Sequence, residues 1–144
     1  MNVDPTVTDA IPHRGSMLLI DAVVDRSPDG IHCRREFRGD EWFFDGHFPD
    51  NPIVPGVIQC ECCLQAGALL LSGRDDGDMN DRLPVATRMD AVKFKRMIRP
   101  GETADIDVTL KEVVSNAYYM TGKMTVDGKL AVRLDFTCSL VAPS

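Results

Sequence analysis

The stretch Val57 to Leu71, VIQCECCLQAGALLL, constrains the fold more than any other part of the chain. Val57, Leu64, Ala68 and Leu71 fall on one side of a helix, and Ile58, Cys62 and Leu69 on another, so apolar groups occupy nearly every face. Such a helix has to be wrapped. It is shorter than a membrane span and carries Gln59, Glu61 and Gln65, so it reads as a core helix. Pro55 and Gly56 suit its start, since proline there gives up an N–H that lacks an intrahelical partner. Gly73 suits its stop, and the polar stretch from Arg74 to Arg82 reads as an exposed connector.

The wrapping has to come from strands. Ile31, Cys33, Arg35 and Phe37 alternate with His32, Arg34 and Glu36, the period of two of a half-buried strand. The same alternation runs through Ala104, Ile106, Val108 and Leu110, and through Leu130, Val132, Leu134, Phe136, Cys138 and Leu140. Met17 to Val24 reads as an earlier strand after a polar tail, with a turn at Ser27-Pro28-Asp29-Gly30. Pro84 to Ile98 supplies another strand, ending at Pro100-Gly101. Asp127-Gly128 is a two-residue hairpin signal that pairs Tyr118 to Val126 with the last strand. The expected architecture is α+β: one long helix among about five or six mostly antiparallel strands. A curved sheet covers only part of such a helix, which makes a second copy of the chain a source of further cover.

At 144 residues the whole chain, 1–144, fits one domain. A hydrophobic fraction of 44% argues for a folded globule, and a net charge of -6 argues against nucleic acid as a partner. The N-terminal residues lack a basic start followed by an apolar run, so a cytoplasmic protein is expected, with no membrane anchor. Its five cysteines are expected to be reduced. Cys60, Cys62 and Cys63 diverge around one helix and read as packing groups, not as metal ligands.

Ahead of the helix, His47 sits in a loop punctuated by Pro49, Pro52, Pro55 and Gly56. A neutral imidazole accepts a proton, and apolar surroundings favour the protonated form of a carboxyl group. His47 and Glu61 are therefore candidates for base and acid. Gly56 and Val57, at the helix start, offer unpaired N–H groups, and glycine lets a carbonyl oxygen come close. A base, an acid and an oxyanion site are what is needed to remove the proton beside a carbonyl and expel a hydroxyl one carbon further on. The residues alone leave simpler readings open: a hydrogen-bonded loop histidine, and a glutamate paired with an arginine or with backbone. Arg88, Lys93, Lys95, Arg96 and Arg99 form a basic run interrupted only by Asp90, which suits either docking of an acidic partner or a charge-protected strand edge.

The run GHFPDNPIVPGV, residues 46 to 57, followed by Glu61 and Gln65, resembles the signature of the beta-hydroxyacyl-(acyl carrier protein) dehydratases of fatty acid synthesis. Ile11-Pro12-His13-Arg14 with Leu18-Leu19-Ile20-Asp21 resembles that family's early segment. Asp90, Lys93, Phe94, Arg96, Pro100, Gly101 and Glu102 resemble its strand leading into a Pro-Gly turn. The match runs in order over about residues 11 to 141.

The resemblance implies a hotdog fold, a curved sheet around one central helix, and dehydration of a 3-hydroxyacyl thioester of acyl carrier protein or coenzyme A. It assigns His47 as base, Glu61 as acid, and the Gly56 N–H, with Val57 beside it, as the partner of the thioester oxygen. It implies no metal or redox cofactor. Lys93, Lys95, Arg96 and Arg99 become the carrier-docking group. The implied assembly is a homodimer with sites shared between subunits, and a trimer of dimers is compatible with it. Glutamate at 61 favours the dehydratase branch over the dehydratase-isomerases, where aspartate is usual, and Gln65 falls to a supporting role. Gly15-Ser16-Met17, Gln59, Cys60, Cys62 and Cys63 depart from the family pattern along the substrate-facing wall. A hotdog thioesterase using Glu61, or a non-catalytic acyl-binding module, are the rival readings.

Overall fold

A computed structural model describes residues 3–74 and 82–142. Most of the connector expected between Arg74 and Arg82 lies outside these residues. In chain order the elements are α1 (Pro5–Ala10), β1 (Ala22–Ser27), β2 (Gly30–Glu36), α2 (Gly56–Ser72), β3 (Leu83–Phe94), β4 (Thr103–Val114), β5 (Ala117–Val126) and β6 (Lys129–Val141). The strands form one sheet in the order β1-β2-β4-β5-β6-β3, and every neighbouring pair is antiparallel. After β2 the chain crosses the sheet through α2 to reach the far edge at β3, and then returns to place β4 beside β2. α2 touches β2, β3, β4, β5 and β6 on its way. This is the hotdog arrangement that the resemblance implies.

Strand periodicity translates directly into packing. Ile31, Cys33, Arg35 and Phe37 are all buried, as are Ala104, Ile106, Val108 and Leu110. At the β5–β6 hairpin, Asp127 and Gly128 take φ of 52° and 78°, the left-handed pair that a two-residue turn needs. Arg35 is a buried cation on the inward face of β2. Its guanidinium donates to Glu41 at 2.6 Å and to Asp21 at 3.4 Å and lies over the Phe37 ring. A charge at that depth requires such partners.

Two expectations are modified. The N-terminal tail contains a helical turn, α1, capped by the Asp4 carboxylate, which accepts from the Thr6 N–H at 3.0 Å. Leu18, Leu19 and Ile20 are buried in the core, yet they precede the sheet, which begins at Ala22. Their apolar run reflects core packing without ladder pairing.

α2 lies against β5 and β6 where small residues permit close approach. A Cβ added at Gly67 would lie 2.8 Å from the Phe136 ring and 3.2 Å from Met120 Sδ, and one at Gly122 would lie 3.0 Å from Cys63 Cβ. Gly67→Val should therefore overpack the core. It is expected to destabilise the fold by ~1–3 kcal/mol, seen as a lower urea midpoint at unchanged slope.

Candidate active site

His47 is held by its own loop. The Ile53 N–H donates to the His47 carbonyl at 3.1 Å, and His47 Nδ1 lies 3.3 Å from the Ile53 carbonyl oxygen. A carbonyl can only accept, so in a neutral imidazole this contact favours the proton on Nδ1 and a lone pair on Nε2. The Phe48 ring stacks on the imidazole with centroids 4.3 Å apart. Behind the loop, the Val54 N–H bonds the Ile98 carbonyl at 2.8 Å, and Arg99 reaches Asn51 Oδ1 at 2.6 Å.

The imidazole opens onto a cleft of about 500 Å³ lined by Ile53, Val54, Gly56, Gln59, Phe94, Lys95, Arg96 and Met97 as well as His47. Pro55 is the N-cap of α2, one place earlier than its sequence suggests, and accepts from the N–H groups of Ile58 and Gln59. Among the described residues no acceptor engages the N–H of Gly56 or Val57. The Phe94 ring lies so close to Gly56 that a Cβ there would sit 2.8 Å from it. The cleft thus joins His47, the candidate base, to the helix start, the candidate oxyanion site. Val57 itself is 76% exposed and does not line the cleft.

Glu61 is elsewhere. At about 100° per residue it stands roughly 140° from Gly56 and ~160° from Gln59 around the helix, and it does not line the His47 cleft. Its neighbours come from the N-terminal segment. Gln65 Nε2 donates to Glu61 Oε2 at 2.9 Å and to the Met17 carbonyl at 2.6 Å, while Gln65 Oε1 accepts from the Leu19 N–H at 2.9 Å. His13 Nε2 lies 3.7 Å from Glu61 Oε2. Gln65 accordingly has the supporting role expected of it. His13 was visible in the His13-Arg14 pair, but its place beside Glu61 was not, because residues far apart in sequence meet only through the fold.

The basic run divides in two. Arg96 donates to Glu102 at 3.0 Å and so braces the Pro-Gly turn, while Arg99 is tied to Asn51 in the loop and through its N–H to Glu102. Lys93 and Lys95 are exposed, and Lys95 lines the cleft. The three helix cysteines are buried, and burial raises the thiol pKa of Cys60, Cys62 and Cys63 alike. Burial also pushes Cys33 and Cys138 up to about 12. Such thiols pack and do not attack. A larger cavity of about 660 Å³, at the other end of α2 between Thr6, Arg14, Leu71 and Leu83, contains none of the candidate site residues.

A family model, the FabA-like domain, matches residues 11–135. The chain belongs to the FabA-like family. Within it, a 3-hydroxyacyl-[acyl-carrier-protein] dehydratase FabZ of Oenococcus oeni is 38% identical over 130 residues, spanning 90% of this chain and 92% of that protein. The enzyme of the same name from Thermomicrobium roseum is 36% identical over 141 residues, spanning 95% and 91%. Among solved structures, the dehydratase heterocomplex ApeI:P of Xenorhabdus doucetiae superposes with a TM-score of 0.76 at 20% identity, covering 96% of this chain and 91% of that one. That likeness concerns the fold. The FabA-like match contains His47, Gly56 and Glu61 within its span.

The Gln65 clamp should have a measurable effect on stability. Gln65→Leu leaves the buried Leu19 N–H without its acceptor, and a loss of ~1–3 kcal/mol is expected in urea unfolding. An unchanged midpoint would remove the clamp from the account.

Proposed function

We propose that this FabA-like chain dehydrates 3-hydroxyacyl thioesters of acyl carrier protein to trans-2-enoyl thioesters in fatty acid or related lipid synthesis. The observation that carries the reading is the single cleft holding His47, with Nε2 available, and the unpartnered Gly56 N–H. The dehydratase relatives point the same way.

In the reaction the thioester oxygen accepts from the Gly56 N–H, which stabilises the charge that develops there as His47 Nε2 removes the proton on the adjacent carbon. The bond from the next carbon to its hydroxyl then breaks, and Glu61 gives its proton to the departing oxygen, which leaves as water. His47 ends with an extra proton and Glu61 without one, and exchange with water restores both.

This chemistry needs Glu61 in the cleft of His47, and one chain keeps them on different sides of α2. A homodimer resolves the separation if each site takes His47 from one copy and Glu61 from the other. Two features support a second copy. Val57, Glu61 and Leu64 form the stripe of α2 that the chain leaves incompletely covered. β3 is an edge strand with Leu83, Val85, Met89 and Phe94 exposed, a long apolar edge of the kind that single chains usually protect.

Incubation with a 3-hydroxyacyl thioester should yield enoyl product without thiol, whereas thiol release would signify a thioesterase. His47→Ala should lower turnover by ~10²–10⁴ while the protein stays folded. His47→Ala and Glu61→Gln variants, dissociated, mixed equally and reassembled, should recover roughly a quarter of the unsubstituted activity, because half the dimers are mixed and each of these has one intact site. A mixture that stays inactive after proven subunit exchange would show that each site lies within one chain.

Lys93 and Lys95 are proposed to meet the acidic carrier. Lys93→Glu with Lys95→Glu should raise KM for the carrier-bound substrate while sparing a small thioester, and the difference should shrink in high salt. Equal effects on both substrates would exclude docking there.

A further inference from the structure

Gln59 has no part in the mechanism above, yet its position is unusual. It is 3% exposed, and its side-chain oxygen Oε1 is buried with no hydrogen-bond partner among the described residues. Buried amide oxygens are almost always satisfied, and one left without a donor costs ~1–3 kcal/mol. Gln59 also lines the His47 cleft. Because Gln59 lines the cleft, a ligand that brings a donor can satisfy that oxygen once the side chain turns toward it.

Position narrows the choice of donor. Gln59 lies one helical turn beyond Gly56, on the same side of α2, at a rise of about 4.5 Å. Gly56 is half-buried, and Lys95 and Met97 at the cleft are exposed, so Gln59 is the more deeply buried. With the thioester oxygen on the Gly56 N–H, the carrier arm lies toward solvent and the acyl part points inward. The acyl group has one donor common to every substrate of this reaction, the 3-hydroxyl, and a hydroxyl two carbons from the carbonyl is within the reach of one helical turn.

We propose, building on the dehydratase reading, that Gln59 Oε1 accepts the hydrogen bond of the substrate's 3-hydroxyl and so recognises 3-hydroxyacyl thioesters over their saturated counterparts. The contact has a second consequence. A hydroxyl donating to Gln59 turns a lone pair elsewhere, ready for the proton of Glu61. When the carbon–oxygen bond breaks, the new water keeps its original hydrogen on Gln59 and carries the second from the acid. Gln59 thereby orients the leaving group without exchanging a proton itself.

The test compares two ligands of equal chain length, a 3-hydroxyacyl and a saturated acyl thioester, in a His47→Ala background where the first is consumed only slowly. Gln59→Met replaces the amide with an apolar chain of similar length. It should weaken hydroxyacyl binding roughly 3- to 30-fold and leave saturated-acyl binding unchanged or tighter, because the orphan oxygen is gone. In the otherwise unsubstituted enzyme the same change should lower kcat/KM for dehydration. Gln59→Leu serves as a second apolar replacement should the methionine variant fold poorly.

If both ligands weaken equally, or dimer dissociation accounts for the loss, Gln59 is satisfied by protein across an interface and the assignment falls. An unsubstituted protein that turns over 3-hydroxyacyl thioesters, but whose discrimination Gln59→Met leaves intact, overturns only the Gln59 contact. An unsubstituted protein that forms no enoyl product overturns the dehydratase reading, and this inference with it.

Discussion

A helix that is apolar on every face must be packed on every face, and the periodicity of α2 decides what each face meets. Gly67 is turned toward Phe136 and Met120 on the sheet. Gln59 and Gly56 border the His47 cleft, and Gln65 grips the N-terminal segment. Val57, Glu61 and Leu64 are left on the remaining stripe. Because a helix turns about 100° per residue, two functional groups two positions apart cannot look the same way. The separation of Gln59 from Glu61 is therefore a property of helical geometry, and the shared site proposed above rests on that separation and not on any loop movement.

A carboxyl group on such a helix needs polar company. Gln65 supplies it by dividing its amide between Glu61 and the backbone of Met17 and Leu19. The bonds to the segment are made to main-chain atoms. The side chains of Ser16 and Met17 can therefore vary without loosening the clamp. Cys60, Cys62 and Cys63 are also buried with raised thiol pKa, so the unusual cysteines change the packing of α2 without adding a nucleophile.

Where a local period carried the information, the sequence reading and the structure agree. The inward set of β2 and β4, the Asp127-Gly128 turn and the extent of α2 are of this kind. Leu18, Leu19 and Ile20 show the limit: a buried apolar run looks the same whether or not it joins a ladder, and only the register beginning at Ala22 and Arg34 decides. α1 escaped notice because a single turn held by the Asp4 cap has too few residues to show a period. The candidate site was legible only as a motif, His47, Gly56 and Glu61, to which the structure adds a cleft at His47 and Gly56. The approach of His13 to Glu61 and the buried oxygen of Gln59 were not, since both depend on tertiary placement.

The basic residues show how scaffold and surface are combined. Arg99 bonds Asn51 in the His47 loop and its backbone N–H bonds Glu102, while Arg96 pairs with the same glutamate. With the Val54 bond to Ile98, the Arg99 bond fixes the loop to the segment after β3 at two points, and Glu102 stiffens that segment. A base contributes most when its geometry is set before the substrate arrives, because no reorganisation is then required during the reaction. Arg96 and Arg99 thus act first as braces, which leaves Lys93 and Lys95 as the cations whose charge is uncommitted to the loop. The steering proposed for those lysines and the bracing by the arginines are separable by substitution, although all four belong to one short stretch of sequence. Charge reversal at an arginine would disturb the brace as well, so only the lysines can report on the proposed carrier surface alone.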